Sequence, residues 1–184
     1  MWHNGDMSAH DLVIRNASLV DGTGAPARIA DVSVSDGVIT EVGPRLSGTG
    51  TREIDADGLT VTPGFVDIHT HFDGQATWDP ILAPSSIHGV TSIVMGNCGV
   101  GFAPARPTPE QHAWLIGMLE GVEDIPGTAL AEGLAWDWET FPDYMNALDR
   151  REYAIDVAAQ VAHAPLRAYV MGERGADPLE APTV

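Results

Sequence analysis

The sequence has few basic side chains. Nine Lys and Arg stand against 26 Asp and Glu, which gives a formal net charge of −17 at pH 7. Nucleic-acid binding needs a basic surface that neutralises phosphates, so this composition argues against a nucleic-acid partner. The acidic residues are scattered along the chain, as is typical of a solvated surface. Hydrophobic residues make up 44% of the chain and charged residues 19%, which indicates a globular protein.

Cysteine and long apolar runs are scarce as well. The single cysteine, Cys98, excludes an internal disulfide framework. No apolar run approaches the ~20 residues that a membrane-spanning helix needs. The first residues lack both the basic and the apolar region of a signal peptide. We therefore expect a cytoplasmic protein with no membrane partner, a disordered leader over residues 1–10, and a start at either Met1 or Met7.

Residues 11–61 have the pattern of a small β-domain. Asp31–Ser35 alternates apolar and polar residues, and Asp36-Gly37 separates it from Val38–Val42. This predicts a β-hairpin, because both turn residues tolerate positive φ. Leu12–Ile14 and Arg52–Ile54 are also strand-like, and no long helical period interrupts these strands.

Beyond residue 61, predicted strands alternate with predicted helices. Phe65–Ile68, Val90–Met95 and Ile155–Val161 read as strands, with helices expected after the N-caps Thr108 and Thr140. Such alternation predicts parallel βα units. A (β/α)₈ barrel typically takes about 250 residues, and three strands cannot close one. We therefore expect residues 62–184 to be the first part of a truncated barrel.

Two histidines at the end of the first of these strands form the strongest chemical signal. Strand side chains alternate between faces, so His69 and His71 project to the same face. They follow an apolar strand entered through Pro63-Gly64, and the carboxyl end of such a strand is where parallel barrels place their chemistry. This setting favours a divalent metal site over a chance pair of histidines.

The cysteine lies in Gly96-Asn97-Cys98-Gly99, directly after the next strand. If the two strands are neighbours in a parallel sheet, Cys98 lies at the same end as the histidines. A thiolate is a good zinc ligand. The alternatives are a buried free cysteine that packs as a small hydrophobe and a nucleophilic cysteine, for which no His-Asn pair has a recognisable spacing. Together with the histidine pair, the pattern favours metal ligation.

Pro63-Gly64-Phe65-Val66-Asp67-Ile68-His69-Thr70-His71 resembles the first-strand signature of the amidohydrolase superfamily, which pairs a metal-binding (β/α)₈ barrel with a small β-sandwich. Gly96-Asn97-Cys98-Gly99 is similar to the D-aminoacylase branch, the N-acyl-D-amino-acid deacylases. The resemblance runs from about Asp11 to Gly172. It implies that residues 11–61 are part of the sandwich and that the substrate of the full-length enzyme is a small-molecule N-acylated amino acid.

The resemblance also implies a ligand set for zinc. Cys98 would hold the tightly bound zinc, and His69 and His71 would line a weaker or second metal position. The two further histidines and the general-base aspartate of the family are expected beyond residue 184. We therefore expect the 184-residue chain alone to bind metal weakly at most and to lack deacylase activity.

Four other polar residues have weaker claims to the site. Asp73, just beyond the histidine pair, could hydrogen-bond a ligand histidine or be an ordinary loop carboxylate. His163, at the end of the third predicted strand, could contact substrate. His88 is expected to end a helix that begins near Pro84, and His112 to be solvated on its helix. Four large apolar residues are expected to serve packing rather than binding: Met118, Leu119, Trp136 and Trp138.

Two other classes of function remain. The first is a cyclic-amide hydrolase of the dihydropyrimidinase type, against which the Cys98 motif argues. The second is a non-catalytic remnant that binds a partner or associates with itself. Unpaired sheet edges would favour self-association, because their free backbone groups can pair with another chain.

Overall fold

The computed structural model describes residues 10–123, 125–177 and 179–183 and has a mixed α/β fold. It divides into two compact units, and the division falls between Pro63 and Gly64. Residues 1–9, which account for nearly all of the expected disordered leader, lie outside the described residues. His10 is the first residue of a strand. Among the described residues, no helix has the length and apolar character to cross a membrane.

The first unit is built on one five-stranded sheet in the spatial order β3-β2-β1-β4, with β5 also paired to β1. β2 is antiparallel to both β1 and β3, whereas β4 and β5 run parallel to β1. The bounds of its strands are β1 His10–Leu19, β2 Arg28–Ser35, β3 Val38–Gly43, β4 Gly50–Asp55 and β5 Thr60–Val61.

The hairpin predicted at Asp36-Gly37 is confirmed. These two residues join β2 to β3 and have φ angles of 52° and 74°. Positive φ at both central positions matches the right-handed twist of the strands, and Asp and Gly tolerate it best. A bulge interrupts the pairing of β1 with β2 between Ile14 and Ala17, and Asn16 within it has φ 59°.

The second unit contains a three-stranded sheet in the order β6-β7-β8, parallel throughout. Parallel neighbours place their carboxyl ends at the same edge, as the sequence predicted. The strands are β6 Phe65–Thr70, β7 Val90–Met95 and β8 Asp156–Ala159. The helices are α1 Pro109–Glu123, α2 Gly127–Gly133, α3 Phe141–Asp149 and α4 His163–Met171, with 3₁₀ turns at Gln75–Thr77, Ser86–His88 and Gly172–Ala176.

The two predicted helices begin where their caps place them. The Gln111 amide donates to Thr108 Oγ1 at 3.3 Å at the start of α1. At α3, Asp143 N donates to Thr140 Oγ1 at 3.3 Å, and Thr140 N donates to the Asp143 carboxylate at 2.9 Å. These reciprocal bonds satisfy two amides that the helix itself leaves without partners.

The third predicted strand is shorter than expected. β8 ends at Ala159, and Val161 lies outside it. The reason is α4, which was not predicted and begins at His163. Pro165 lies in its first turn, where the missing amide of proline costs no intrahelical hydrogen bond. The interpretation of His163 as the end of a strand is therefore wrong, because it is the first residue of a helix.

The helix packing creates the core of the second unit. Leu115 and Leu119 of α1 are fully buried, and Tyr144 and Leu148 of α3 are buried as well. Leu119, Trp138, Met118 and Trp136 all belong to this core or pack against it, so their expected packing role is confirmed.

The expectation that His112 is solvated is wrong. It is half-buried and stacks on Trp136, with ring centroids 3.8 Å apart. Burial lowers the pKa of His112.

Candidate metal centre

Strand β6 carries the histidine pair to one edge of the three-stranded sheet. Its start lies close to β7, since a Cβ on Gly64 would stand 2.1 Å from Thr91 Cγ2, and only glycine fits there. At the other end, Thr70 Oγ1 donates to the Val94 carbonyl of β7 at 3.1 Å. His69 and His71 flank Thr70 at this end of the strand, and the centroids of their rings lie 5.5 Å apart.

Cys98 lies in the turn that follows β7. Gly96 and Gly99 have φ angles of +80° and +94°, which side chains rarely adopt. A Cβ on Gly96 would also stand 2.5 Å from the Gln160 carbonyl oxygen, so this position excludes any side chain. The Gly99 carbonyl accepts from Ala164 N of α4 at 2.8 Å. The turn is therefore held between β7 and the segment that leads into α4.

The turn is also tied to the histidine strand. Asn97 Nδ2 donates to the Ile68 carbonyl at 3.0 Å, between the two strands that carry the candidate ligands. Cys98 Sγ lies 3.8 Å from His71 Nδ1 and accepts a hydrogen bond from Val100 N at 3.5 Å. Sequence reasoning missed Asn97, although its place beside Cys98 in a turn between glycines was a usable signal.

One potential ligand atom from each of His69, His71 and Cys98 lies within 4.8 Å of the others. Zn–N bonds of about 2.0–2.1 Å and Zn–S bonds of about 2.3 Å put tetrahedral ligand atoms roughly 3.3–3.7 Å apart. Of the three pairs, Cys98 Sγ and His71 Nδ1 come close to this range, at 3.8 Å. Two imidazoles and a thiol are also the donor types that zinc prefers. The three residues therefore fit a zinc ion in their donor chemistry, and the Cys98–His71 pair fits it in spacing as well.

Asp73 follows His71 by two residues and is 3% exposed. Its backbone carbonyl accepts from the Tyr144 hydroxyl at 2.7 Å. Burial, and after it the negative charge of Asp73, raises the pKa of Tyr144 well above its ordinary value. The carboxylate of Asp73 is not part of the three-residue cluster.

His163 and His88 are also outside the three-residue cluster, which was sought among the described residues. His163 is exposed and lies beside the cysteine turn. A Cβ on Gly99 would stand 3.7 Å from the Cβ of His163. His88 ends the 3₁₀ turn Ser86–His88, and Gly89 caps it at φ 89°. His88 therefore ends a helical turn as expected, but this turn begins at Ser86 and is shorter than the helix from near Pro84 that the sequence predicted.

A comparison with known families matches residues 52–182 to the model described as the amidohydrolase family. This range includes both histidines, the cysteine turn and all three strands of the second unit. The chain belongs to the amidohydrolase family.

Several proteins that are similar to this chain are deacylases. The chain is 36% identical over 166 residues to the N-acyl-D-aspartate deacylase of Alcaligenes xylosoxydans xylosoxydans, covering 90% of this chain and 30% of that enzyme. The structure of N-acyl-D-glutamate deacylase from Bordetella bronchiseptica, in complex with zinc and a phosphonate that mimics the tetrahedral intermediate, matches 96% of this chain and 33% of that one. Its TM-score is 0.74 and its identity 36%.

A structure of D-aminoacylase, described by its binuclear metal centre, is 34% identical with a TM-score of 0.71. It covers 90% of this chain and 32% of that chain. The amidohydrolase chain described here thus spans about a third of the length of these relatives. The mixed α/β architecture of the chain matches the corresponding region of both solved structures.

Proposed function

We propose that this chain is the N-terminal portion of a metal-dependent hydrolase that cleaves the amide bond of N-acyl-D-amino acids. The observation that carries the proposal is the convergence of His69, His71 and Cys98 at one sheet edge. The similarity to N-acyl-D-aspartate deacylase along 90% of the chain supports the same substrate class. The partner in this proposal is therefore a small molecule, the N-acylated amino acid itself.

In this proposal, Cys98 would hold the tightly bound metal, and His69 and His71 would line the weaker or second metal position, with zinc as the best fit to their donor set. A divalent cation supplies Lewis-acid chemistry when bound, since it polarises a carbonyl and makes water easier to deprotonate. The protein's own part is to fix the ligands. Asn97 ties the Cys98 turn to the histidine strand, and Gly96 lets the turn approach the end of β8 closely. In D-aminoacylase, one metal activates the enzyme and a second attenuates it, which supports one activating metal position and a second, attenuating one.

The finer architecture belongs to the same proposal. The five-stranded sheet would be part of a β-sandwich over residues 11–61, and residues 62–184 would be the first part of a (β/α)₈ barrel. The general-base aspartate would lie in the barrel portion beyond residue 184. The base takes the proton of water and returns it to the leaving nitrogen.

His163 is proposed to contact substrate. Its exposed position at the first residue of α4, beside the Cys98 turn, supports this role. A cyclic-amide hydrolase was the other enzymatic interpretation. The linear-amide class is favoured because the deacylase similarity extends over nearly the whole chain and includes the cysteine turn.

The metal site can be tested on the 184-residue chain by cobalt(II) titration. Cobalt(II) replaces zinc and reports a thiolate ligand by an intense charge-transfer absorption. We expect weak but saturable binding with this absorption. Cys98→Ala should abolish the absorption, whereas Ser92→Ala in β7, outside the ligand cluster, should leave it unchanged. A parent chain whose cobalt spectrum shows no thiolate band would contradict the proposed site.

The activity can be tested with a chimera in which this chain replaces the matching third of the N-acyl-D-aspartate deacylase. We expect zinc-dependent release of D-aspartate from N-acetyl-D-aspartate, lost in Cys98→Ala. His163→Ala should raise KM more than it lowers kcat, because it removes a binding contact. The 184-residue chain alone should show no turnover. A folded chimera that retains full activity after Cys98→Ala would overturn the assignment.

A further inference from the structure

The buried carboxylate of Asp73 follows the candidate ligand His71 closely in the sequence. Among the described residues, Asp31 and Asp73 are the only buried carboxylates, and Asp73 comes two residues after His71. Burying a charged group is costly unless the surrounding structure compensates it. A buried aspartate is therefore a sign of interactions that an apolar side chain could not make.

The Asp73 carboxylate lies close to the loop that carries the cysteine. A Cβ on Gly101 would stand 2.9 Å from Asp73 Oδ1 and 3.4 Å from Ala162 Cβ. Asp73 and the residue before α4 therefore both lie on the side of Gly101 to which a side chain would project. Gly101 is three residues beyond Cys98, so a shift of this contact reaches the thiol through a short piece of backbone.

The backbone of Asp73 is itself held by a hydrogen bond from helix α3. The buried Tyr144 of α3 donates its hydroxyl to the Asp73 carbonyl at 2.7 Å. The same core layer holds the loop downstream of Gly101, since Trp138 Nε1 donates to the Phe102 carbonyl at 2.8 Å. Asp73 thus links a fixed helix to the cysteine loop.

We propose that Asp73 is a positioning residue for the metal centre. Its carboxylate holds the loop from Cys98 to Gly101 at the distance from strand β6 that keeps Cys98 Sγ beside His71. This inference rests on the proposed metal site and deepens it, because it assigns the geometry of the cysteine ligand to a residue outside the ligand set.

The test is a cobalt(II) titration of the 184-residue chain with Asp73→Asn, which keeps the shape of the side chain and removes its charge. Residues that orient metal ligands typically contribute about 10- to 100-fold to metal affinity. We expect a loss of this size, together with a weaker thiolate-to-cobalt absorption. The matched control is Asp79→Asn. Asp79 lies in the same segment and accepts hydrogen bonds from Gln75 and from the Ile81 amide. It should lose thermal stability without changing the cobalt affinity or spectrum.

A second variant keeps the inference testable if Asp73→Asn does not fold. Gly101→Ala places a methyl group against the Asp73 carboxylate and should weaken cobalt binding. In the double variant with Asp73→Ala, this added loss should disappear, since the group that the methyl meets is gone. Such a departure from additivity is the signature of a direct coupling between two residues.

The outcomes separate the two proposals. A parent chain with no thiolate band overturns both the metal site and the role of Asp73. A parent chain with the band, and an Asp73→Asn chain that matches it in affinity and spectrum, overturns only the positioning role. Equal affinity losses in Asp73→Asn and Asp79→Asn would also overturn it, because the effect would then follow general destabilisation.

Discussion

Asp31 organises the loop between β3 and β4 of the first unit. Its two carboxylate oxygens accept hydrogen bonds from Asn16 N at 2.9 Å and Leu46 N at 3.0 Å. The Arg15 guanidinium lies 3.3 Å away and also donates to the Leu46 and Gly48 carbonyls. Burial alone would raise the pKa of Asp31, but these hydrogen bonds and the charge of Arg15 outweigh it and lower the pKa.

This lowered pKa predicts an acid-sensitive contribution to stability. A carboxyl whose pKa is lower in the folded state stabilises the fold above its unfolded pKa of about 3.9, and the contribution is lost as the pH falls through the folded value. We expect Asp31→Asn to lower the free energy of unfolding by about 1–3 kcal/mol at pH 7. In urea titrations, the difference from the parent should shrink below about pH 4.

Asp36→Asn is the control for this prediction, because Asp36 is exposed in the hairpin turn and Asn tolerates its positive φ. It should change stability little at either pH. A difference between Asp31→Asn and the parent that is the same at pH 7 and at pH 3 would contradict the predicted linkage.

At the level of single residues, the sequence predicted that His69, His71 and Cys98 lie together, but it did not predict the contacts that hold the surrounding residues in place. His69 and His71 share a face because of strand periodicity alone, and Cys98 joins them because parallel strands end at the same edge. The tyrosine that holds Asp73 comes from α3, far away in sequence. Such a contact depends on how a helix packs, and no local pattern encodes it.

Among the elements, α3 has the clearest local determinants. Thr140 and Asp143 form a capping box, and their hydrogen bonds lower the pKa of the Asp143 carboxyl. The helix then buries Tyr144 and Leu148 in the core. Tyr144 also donates a hydrogen bond to Asp73. The start of this helix therefore helps to fix the residue that we propose positions the candidate metal ligands.

We expect Thr140→Ala to lower the free energy of unfolding by about 0.5–2 kcal/mol, since the N-cap side chain satisfies an otherwise unpaired amide. Thermal unfolding followed by circular dichroism measures the effect. Thr140→Ser keeps the hydroxyl and should retain most of the stability. Equal losses in the two variants would show that packing of the threonine methyl, rather than the cap, is responsible.

The sequence predicted the elements that have characteristic turn or N-cap residues at their ends, and it missed or shortened the elements that lack them. The Asp36-Gly37 hairpin and the starts of α1 and α3 follow from turn and cap residues. α4 was missed, since Ala162 offers no capping side chain and the chain enters the helix directly after a strand. β1 was predicted too short, because it runs through a bulge at Asn16 that interrupts the alternation.

For the whole molecule, the prominent feature of the second unit is its exposed apolar strand. Phe65, Val66 and Ile68 of β6 are each 63% exposed. Among the described strands, β6 pairs only with β7, so its outer backbone groups face no strand. A long, apolar edge strand is a template for pairing with another chain.

We therefore expect the 184-residue chain to associate with itself through β6. Val66→Lys should shift it toward monomer, since a charged side chain on an edge strand opposes pairing. Light scattering after size-exclusion chromatography measures the molar mass over a range of concentrations. Ile87→Lys is the control, because Ile87 is equally apolar and 71% exposed but lies in a 3₁₀ turn. A parent chain that stays monomeric at every concentration would contradict this expectation.

The close approach of Gly96 to the Gln160 carbonyl also sets an order of events during synthesis. The ribosome releases the histidine strand first and the cysteine turn next. The backbone that braces this turn emerges only after α1, α2 and α3 have been made. At ordinary elongation rates this interval lasts several seconds. In the proposed metal site, loading at Cys98 would therefore follow the emergence of Gln160 from the ribosome.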